Sequence, residues 1–190
     1  RGTHRPLRIV DLPCMTYATV TQALLSAQRL VQEGGAQMVK LEGGMNRLEV
    51  VEALSLQDIP VCAHLGLLPQ SIHQLGHYSI QGRTDKAAQA LKQAALNLET
   101  PGAQMLVLEC VPQSLAAEIT AALEIPVIGI GAGPACDGQV LVAQDLLGLT
   151  SKCPSFCRNF LEGQGSIASA FGAYAEAVRL GVFPGPEHAF

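Results

Sequence analysis

The chain has 190 residues and a formal net charge of −4, with 48% apolar and 15% charged residues, the makings of one packed domain rather than a disordered tract. Its 12 Lys and Arg form no run, Trp is absent and aromatic residues are 4%, which argues against a nucleic-acid partner. The longest apolar stretches are strand-length and no charged-then-apolar signal segment opens the chain, so no membrane association and a cytoplasmic location are expected.

In chain order, Arg8-Ile9-Val10-Asp11 reads as a short strand ending in a carboxylate. Thr19-Val20-Thr21-Gln22 has the form of a capping box, and Leu24, Leu25, Leu30 and Val31 then recur at helical spacing until Gly34-Gly35. A second strand, Met38 to Glu42, turns through Gly43-Gly44 into a short helix carrying Leu48, Val51 and Leu54. Ile59-Pro60 leads into a third strand, Val61 to Leu65, that passes through His64. The segment Gly66 to Arg83, punctuated by Pro69, Gly76 and Gly82, reads as a long functional loop. Thr84 or Asp85 caps the next helix, which carries Leu91, Ala95 and Leu98 and ends at Pro101-Gly102. A fourth strand, Met105 to Glu109, a helix over Leu115 to Leu123 and a fifth strand, Ile125 to Ile130, follow closely. Gln139 to Leu149 reads as a sixth, buried strand with its exit, Ile167 to Leu180 as a final helix, and the tail from Phe183 as irregular.

Six strands alternating with helices predict a parallel sheet with right-handed crossovers. An open doubly wound sheet and an eight-unit barrel short of two units both suit this count. In either, the C-terminal ends of the strands gather on one face, where such folds do their chemistry.

Lys40 and Glu42 are two apart on a strand and share a face. A mutual ion pair at the strand end is the simplest reading. Asp11, however, ends the neighbouring strand, and two inward carboxylates make a hard oxygen site suited to Mg²⁺, with Lys40 favouring an anionic ligand such as an α-keto acid. Glu109, after four apolar residues, suits general acid/base work, while a bond to a loop is its structural alternative. His64 reads as a fixed hydrogen-bonding residue behind that site. Gly129-Ile130-Gly131-Ala132-Gly133 is not the dinucleotide fingerprint, because its spacing is wrong and Pro134 disfavours a direct helix start. Of six cysteines, only Cys153 and Cys157 are close in sequence, and no second pair or nearby His completes a zinc site; reduced thiols are expected.

Taken together, Asp11-Leu12-Pro13, Val39-Lys40-Leu41-Glu42-Gly43-Gly44, His64-Leu65-Gly66-Leu67 with Pro69-Gln70-Ser71, Gln81-Gly82-Arg83, Leu108-Glu109-Cys110-Val111-Pro112, Ile128 to Gly133, Asp137-Gly138-Gln139 and the tail Gly185 to Phe190 closely resemble the 3-methyl-2-oxobutanoate (ketopantoate) hydroxymethyltransferases of the pantothenate pathway. The resemblance implies an α/β fold, the (β/α)₈ TIM barrel of the phosphoenolpyruvate/pyruvate type, here with six of its βα units in a single incomplete domain over 1–190. It implies transfer of a hydroxymethyl group from 5,10-methylenetetrahydrofolate to 3-methyl-2-oxobutanoate, with Mg²⁺ as cofactor, giving 2-dehydropantoate. By position, Asp11 and Glu42 match metal-site carboxylates, Asp11 and Lys40 match keto-acid contacts, and Glu109 matches the proton acceptor. A cytoplasmic homo-oligomer, decameric in the family, is implied too. Family members begin with two further βα units, the second carrying a Gly-Asp-Ser motif with another metal ligand; this sequence contains no such motif. Two other readings therefore stay open: an inactive truncated paralogue that assembles with other subunits, and a Mg²⁺-dependent α-keto-acid carbon–carbon lyase on the same barrel.

Overall fold

The computed structural model describes residues 5–190. Its framework is one six-stranded sheet, all parallel, in the order β1 (Ile9–Asp11), β2 (Met38–Glu42), β3 (Val61–Gly66), β4 (Ala103–Glu109), β5 (Val127–Ile130) and β6 (Gly138–Gln139). Between and after the strands come α1 (Val20–Gln32), α2 (Leu48–Ser55), α3 (Ile72–Leu75), α4 (Asp85–Glu99), α5 (Gln113–Ala122), α6 (Ala143–Leu146) and α7 (Ile167–Arg179). Each strand pairs with its neighbours in sequence. A doubly wound sheet would reverse its strand order part-way and carry helices on both faces. Here order never reverses, and α1, α2, α4 and α5 pack on one face only, which is the wall of a (β/α)₈ barrel.

Period-two alternation sorts each strand's side chains between two layers. Val39, Leu41, Val61, Ala63, Leu106, Leu108 and Val127 point outward to Ala23, Ala27, Val51, Leu54, Leu98 and Ile119 of the helices, forming the main core. Removing each such aliphatic side chain from water contributes roughly 1.5–3 kcal/mol. The inner face has an apolar floor of Met38, Cys62, Val107 and Ile130, extended by Leu67, Cys110 and Phe156. A third cluster joins α6 and α7, with Phe160 stacked edge-on against Tyr174 and Phe183, each at 5.3 Å between ring centroids.

The helix signals act locally as expected. Thr19 Oγ1 accepts from the Gln22 amide at 3.3 Å, although the Gln22 side chain turns to the Thr19 hydroxyl rather than to its backbone, so the reciprocal box is not closed. Thr84, not Asp85, caps α4. The loop after β3 contains a 3₁₀ turn, Pro69–Ser71, and the single-turn α3, ended by Gly76 at φ +77°. The tail also holds a 3₁₀ turn, Pro186–His188, with His188 buried.

One expected element is replaced. Gln139 to Leu149 is not a buried strand: pairing stops after Gly138–Gln139, Val140 and Val142 are exposed, and the chain coils into α6. The apolar run is real, but its buried members, Asp145 and Leu146, belong to a helical turn. A short apolar run does not distinguish a strand from a buried helical segment.

Candidate active site

The strand ends bring all five singled-out residues to one face of the sheet. In register, Asp11 lies opposite Lys40, Glu42 opposite His64, and Glu109 opposite Gly66 and Ile130. Lys40 turns to Asp11 and not to Glu42: its Nζ lies 2.5 Å from Asp11 Oδ1 and 3.3 Å from His64 Nδ1. The Asp11 side chain is 55% exposed and that of Lys40 19%, so the pair faces the open mouth of the sheet.

His64 is the hub, almost wholly buried. Its Nδ1 lies 3.9 Å from Glu42 Oε1, and its Nε2 lies 3.2 Å from Glu109 Oε2. That second contact has ion-pair distance without hydrogen-bond alignment, which leaves the buried Nε2 with no hydrogen-bond partner. Unpaired buried nitrogens are rare and costly in folded proteins, by about 1–3 kcal/mol.

Glu42 is held more firmly. Its Oε2 accepts from the Gln70 amide at 2.9 Å, and burial pushes its carboxyl above the ordinary range, opposed by that amide, by His64 and by Lys40. The Gln70 side chain bridges two loops, donating through Nε2 to the Leu12 carbonyl at 3.0 Å and accepting from the Tyr17 hydroxyl at 2.6 Å. Tyr17 in turn accepts from the Glu42 amide at 3.4 Å, while the Arg47 guanidinium lies over its ring at 4.9 Å. Burial raises the Tyr17 phenol above its usual range, so it stays neutral and able to donate.

Two backbone features set the end of β4. Cys110, the residue after Glu109, sits at φ +50°, a left-handed conformation that costs a non-glycine residue on the order of 1–3 kcal/mol. Gly66, at φ +90°, passes so close to the Glu109 carbonyl that any Cβ there would collide with it. Glu109 therefore projects from a tight, over-determined turn. Beside it opens a cavity of about 550 Å³ walled by Leu67, Tyr78, Ile130 and Phe156.

Tyr17 and Asp145, the latter lining this cavity, escape the sequence reading, and Gln70 figures there only within a motif. The contact between Tyr17 and Gln70 spans 53 residues, and no local pattern announces it. Asp145 does leave a trace, as the one charged residue in the apolar run Val140 to Leu149. Among the described residues, no group of three or more His, Cys, Asp or Glu is arranged to hold a metal by protein ligands alone.

The sequence matches the family model described as ketopantoate hydroxymethyltransferase over residues 1–186. The chain belongs to that family. Curated relatives named 3-methyl-2-oxobutanoate hydroxymethyltransferase agree. The one from Methylococcus capsulatus is 53% identical over 190 residues, all of this chain and 71% of that protein. Those from Nitrosococcus oceani and Alkalilimnicola ehrlichii are 55% and 54% identical, across 97% and 98% of this chain and 70% and 68% of theirs. Membership in a family of hydroxymethyltransferases makes the strand-end cluster the candidate active site, and it agrees with the barrel wall seen in the sheet.

Proposed function

We propose that this chain transfers a hydroxymethyl group from 5,10-methylenetetrahydrofolate to 3-methyl-2-oxobutanoate, giving 2-dehydropantoate for pantothenate biosynthesis. The observation that carries the reading is the placement of Asp11, Lys40, Glu42, His64 and Glu109 around one strand-end face in a member of this family. Residues 1–190 act as a single incomplete barrel domain of six βα units, in a cytoplasmic homo-oligomer of the family's decameric kind.

Asp11 and Glu42 are the residues that hold Mg²⁺ in this reading. Their chemistry fits. Mg²⁺ commonly takes one or two protein carboxylates and fills its remaining positions with water and substrate oxygens, so a closed protein cage is not needed. Asp11 is half open to solvent with its Oδ1 paired to Lys40, and Glu42 Oε1 lies 3.9 Å from His64 Nδ1. When bound there, the ion supplies Lewis-acid polarisation of the keto acid's oxygens.

Lys40 pairs with the substrate carboxylate and adds positive charge where the enolate oxygen develops. Glu109 takes the proton from C3 of the keto acid, and the C–H electron pair moves into the enolate. The enolate carbon then bonds to the one-carbon unit, tetrahydrofolate leaves, and one water is consumed to supply the hydroxyl oxygen. His64, wedged between Lys40, Glu42 and Glu109, fixes their spacing. Mg²⁺-dependent formation of 2-dehydropantoate, lost in Glu109→Gln, is the expected result. Full turnover in Glu109→Gln overturns the role of Glu109, and no turnover by the intact protein overturns the activity.

A further inference from the structure

The chemistry proposed above leaves the close cysteine pair unused. Cys153-Pro154-Ser155-Phe156-Cys157 lies between α6 and α7, and all six cysteines of the chain are free thiols. The segment bends back on itself, because the Cys157 amide donates to the Pro154 carbonyl at 3.0 Å and closes a tight turn. Both thiols converge on one residue. Cys153 Sγ donates to the Asp145 carbonyl at 3.9 Å, and Cys157 Sγ donates to Asp145 Oδ2 at 3.8 Å. Burial, then the neighbouring Cys153 thiol and the Asp145 carboxylate, push the Cys157 thiol above its ordinary range.

The two sulfurs are not equivalent, for Cys153 is exposed and Cys157 half-buried. An exposed thiol meets a dissolved oxidant first, and a shielded neighbour then reacts by exchange within the chain. The other four cysteines offer no such pair. Cys62, Cys110 and Cys136 are buried, while exposed Cys14 follows β1 and has the Gln70 carbonyl as its acceptor at 4.0 Å. The position of the pair gives it a consequence. Lys152, Pro154 and Phe156, interleaved with the cysteines, wall the cavity beside Glu109, and the buried Phe156 ring stands edge-on to Phe190 at 6.2 Å.

We propose that Cys153 and Cys157 form a reversible dithiol–disulfide site, oxidised by a low-molecular-weight disulfide of the glutathione type. The Cys153 thiolate attacks one sulfur of the oxidised donor and breaks its S–S bond. A mixed disulfide forms, and the departing donor thiolate takes up the proton that Cys153 lost. The Cys157 sulfur then attacks the Cys153 sulfur, the second donor thiolate leaves, and the Cys157 proton passes to it. Two protein thiols thus lose two electrons, and the donor is reduced to two thiols. Oxidation removes the thiol hydrogen that the buried Asp145 carboxylate accepts, leaving it the Thr150 hydroxyl at 2.5 Å. The reduced form is favoured by that bond, which makes the disulfide labile and regulatory rather than a structural staple. A ring this short constrains little beyond its own turn, so oxidation reshapes the cavity wall at Lys152 and Pro154 and leaves β3 and β4 as they are.

The test treats the intact, reduced protein with oxidised glutathione, quenches with iodoacetamide and digests with trypsin. Cleavage after Lys152 and Arg158 releases both cysteines in one peptide, 153–158. By mass spectrometry that peptide should be two hydrogens lighter and unalkylated, and dithiothreitol should restore it. In Cys157→Ser the reaction should stop at a glutathione mixed disulfide on Cys153, which should persist on the order of tenfold longer than in the parent. In Cys153→Ser, Cys157 should stay reduced. Amide exchange in the oxidised protein should change over residues 150–157 and not in β3 or β4. A parent peptide that stays fully alkylated overturns the site. So does a Cys153 that keeps its glutathione without passing to Cys157, or that crosslinks to a second chain instead. Equal oxidation of Cys157 in Cys153→Ser overturns the order of attack, and exchange altered throughout the sheet overturns the local effect.

Discussion

On its outer face the sheet presents Val39, Leu41, Ala63, Leu106 and Leu108 to the helices, all closed to water, while on its inner face the same strands present Lys40, Glu42, His64 and Glu109. The two faces alternate residue by residue along one backbone. Their difference teaches where a barrel wall divides its tasks: the apolar layer fixes the strands, and the strands in turn fix the charges. Neither face is uniform, however. The inner one begins as an apolar floor of Met38, Cys62 and Val107 and becomes polar only toward the strand ends. The charged cluster therefore sits on a packed platform, not in an open pore.

Substitutions on the two faces should separate cleanly. The largest effect is expected from Glu109→Gln, which should lower kcat by roughly 10²–10⁴-fold if the residue moves a proton, with the urea unfolding midpoint unchanged. Leu108→Ala, one residue earlier and facing the helices, should do the reverse. It should cost about 2–5 kcal/mol in a urea titration and leave the KM for the keto acid intact. A fall in kcat equal to that of Glu109→Gln would show that the faces are not independent.

Gln70→Ala should have an intermediate effect. It keeps the amide bound to Glu42 but removes the side-chain bridge to Leu12 and Tyr17, so that Glu42 loses the rigidity of its support. With Glu42 holding the metal as proposed, affinity for Mn²⁺, read by electron paramagnetic resonance as a substitute for Mg²⁺, should drop roughly 10–100-fold, the loss typical when the support of a metal ligand is removed. Unchanged Mn²⁺ affinity would reduce Gln70 to a loop tie.

The smallest effect concerns the floor. Burial pushes the Cys62 thiol up to about 12 from an ordinary value of 9. The folded state therefore holds this proton where the unfolded chain has released it. By linkage, the contribution to stability is complete below pH 9 and is lost as pH rises from 9 toward 12. Unfolding free energy measured across that window should fall less steeply in Cys62→Ala than in the parent. At pH 8, exposed Cys14 and Cys153 should react with iodoacetamide while Cys62 does not.

Much of this division is legible in the sequence, because alternation along Met38 to Glu42 is a local property. Spacing alone puts Lys40 and Glu42 on one face, and the order of strand and helix signals gives the βα repeat. What is not legible depends on distance. No periodicity reveals that Lys40 prefers Asp11 over Glu42, since that choice depends on the twist and register of two separate strands. The bridge from Gln70 to Leu12 and Tyr17 crosses more than 50 residues and exists only once β1 and β3 flank β2. Gln139 to Leu149 fails for another reason. Its apolar content is that of a strand, but its buried residues are adjacent in a helical turn, and Asp145 was hidden inside the misread element.

The strictly sequential order of the six strands has a kinetic consequence. Each strand docks only on its neighbours in the chain, so the sheet resembles a short linear array that grows and opens from its ends. Amide exchange should be slowest on the long, doubly flanked β3 and β4 and fastest on the three-residue β1 and two-residue β6. Glu109 then rides on the most persistent segment, while Asp11 rides on one that breathes. A ligand gripping Asp11 and Lys40 together would quiet that edge, and its arrival would be recorded as protection spreading outward along β1.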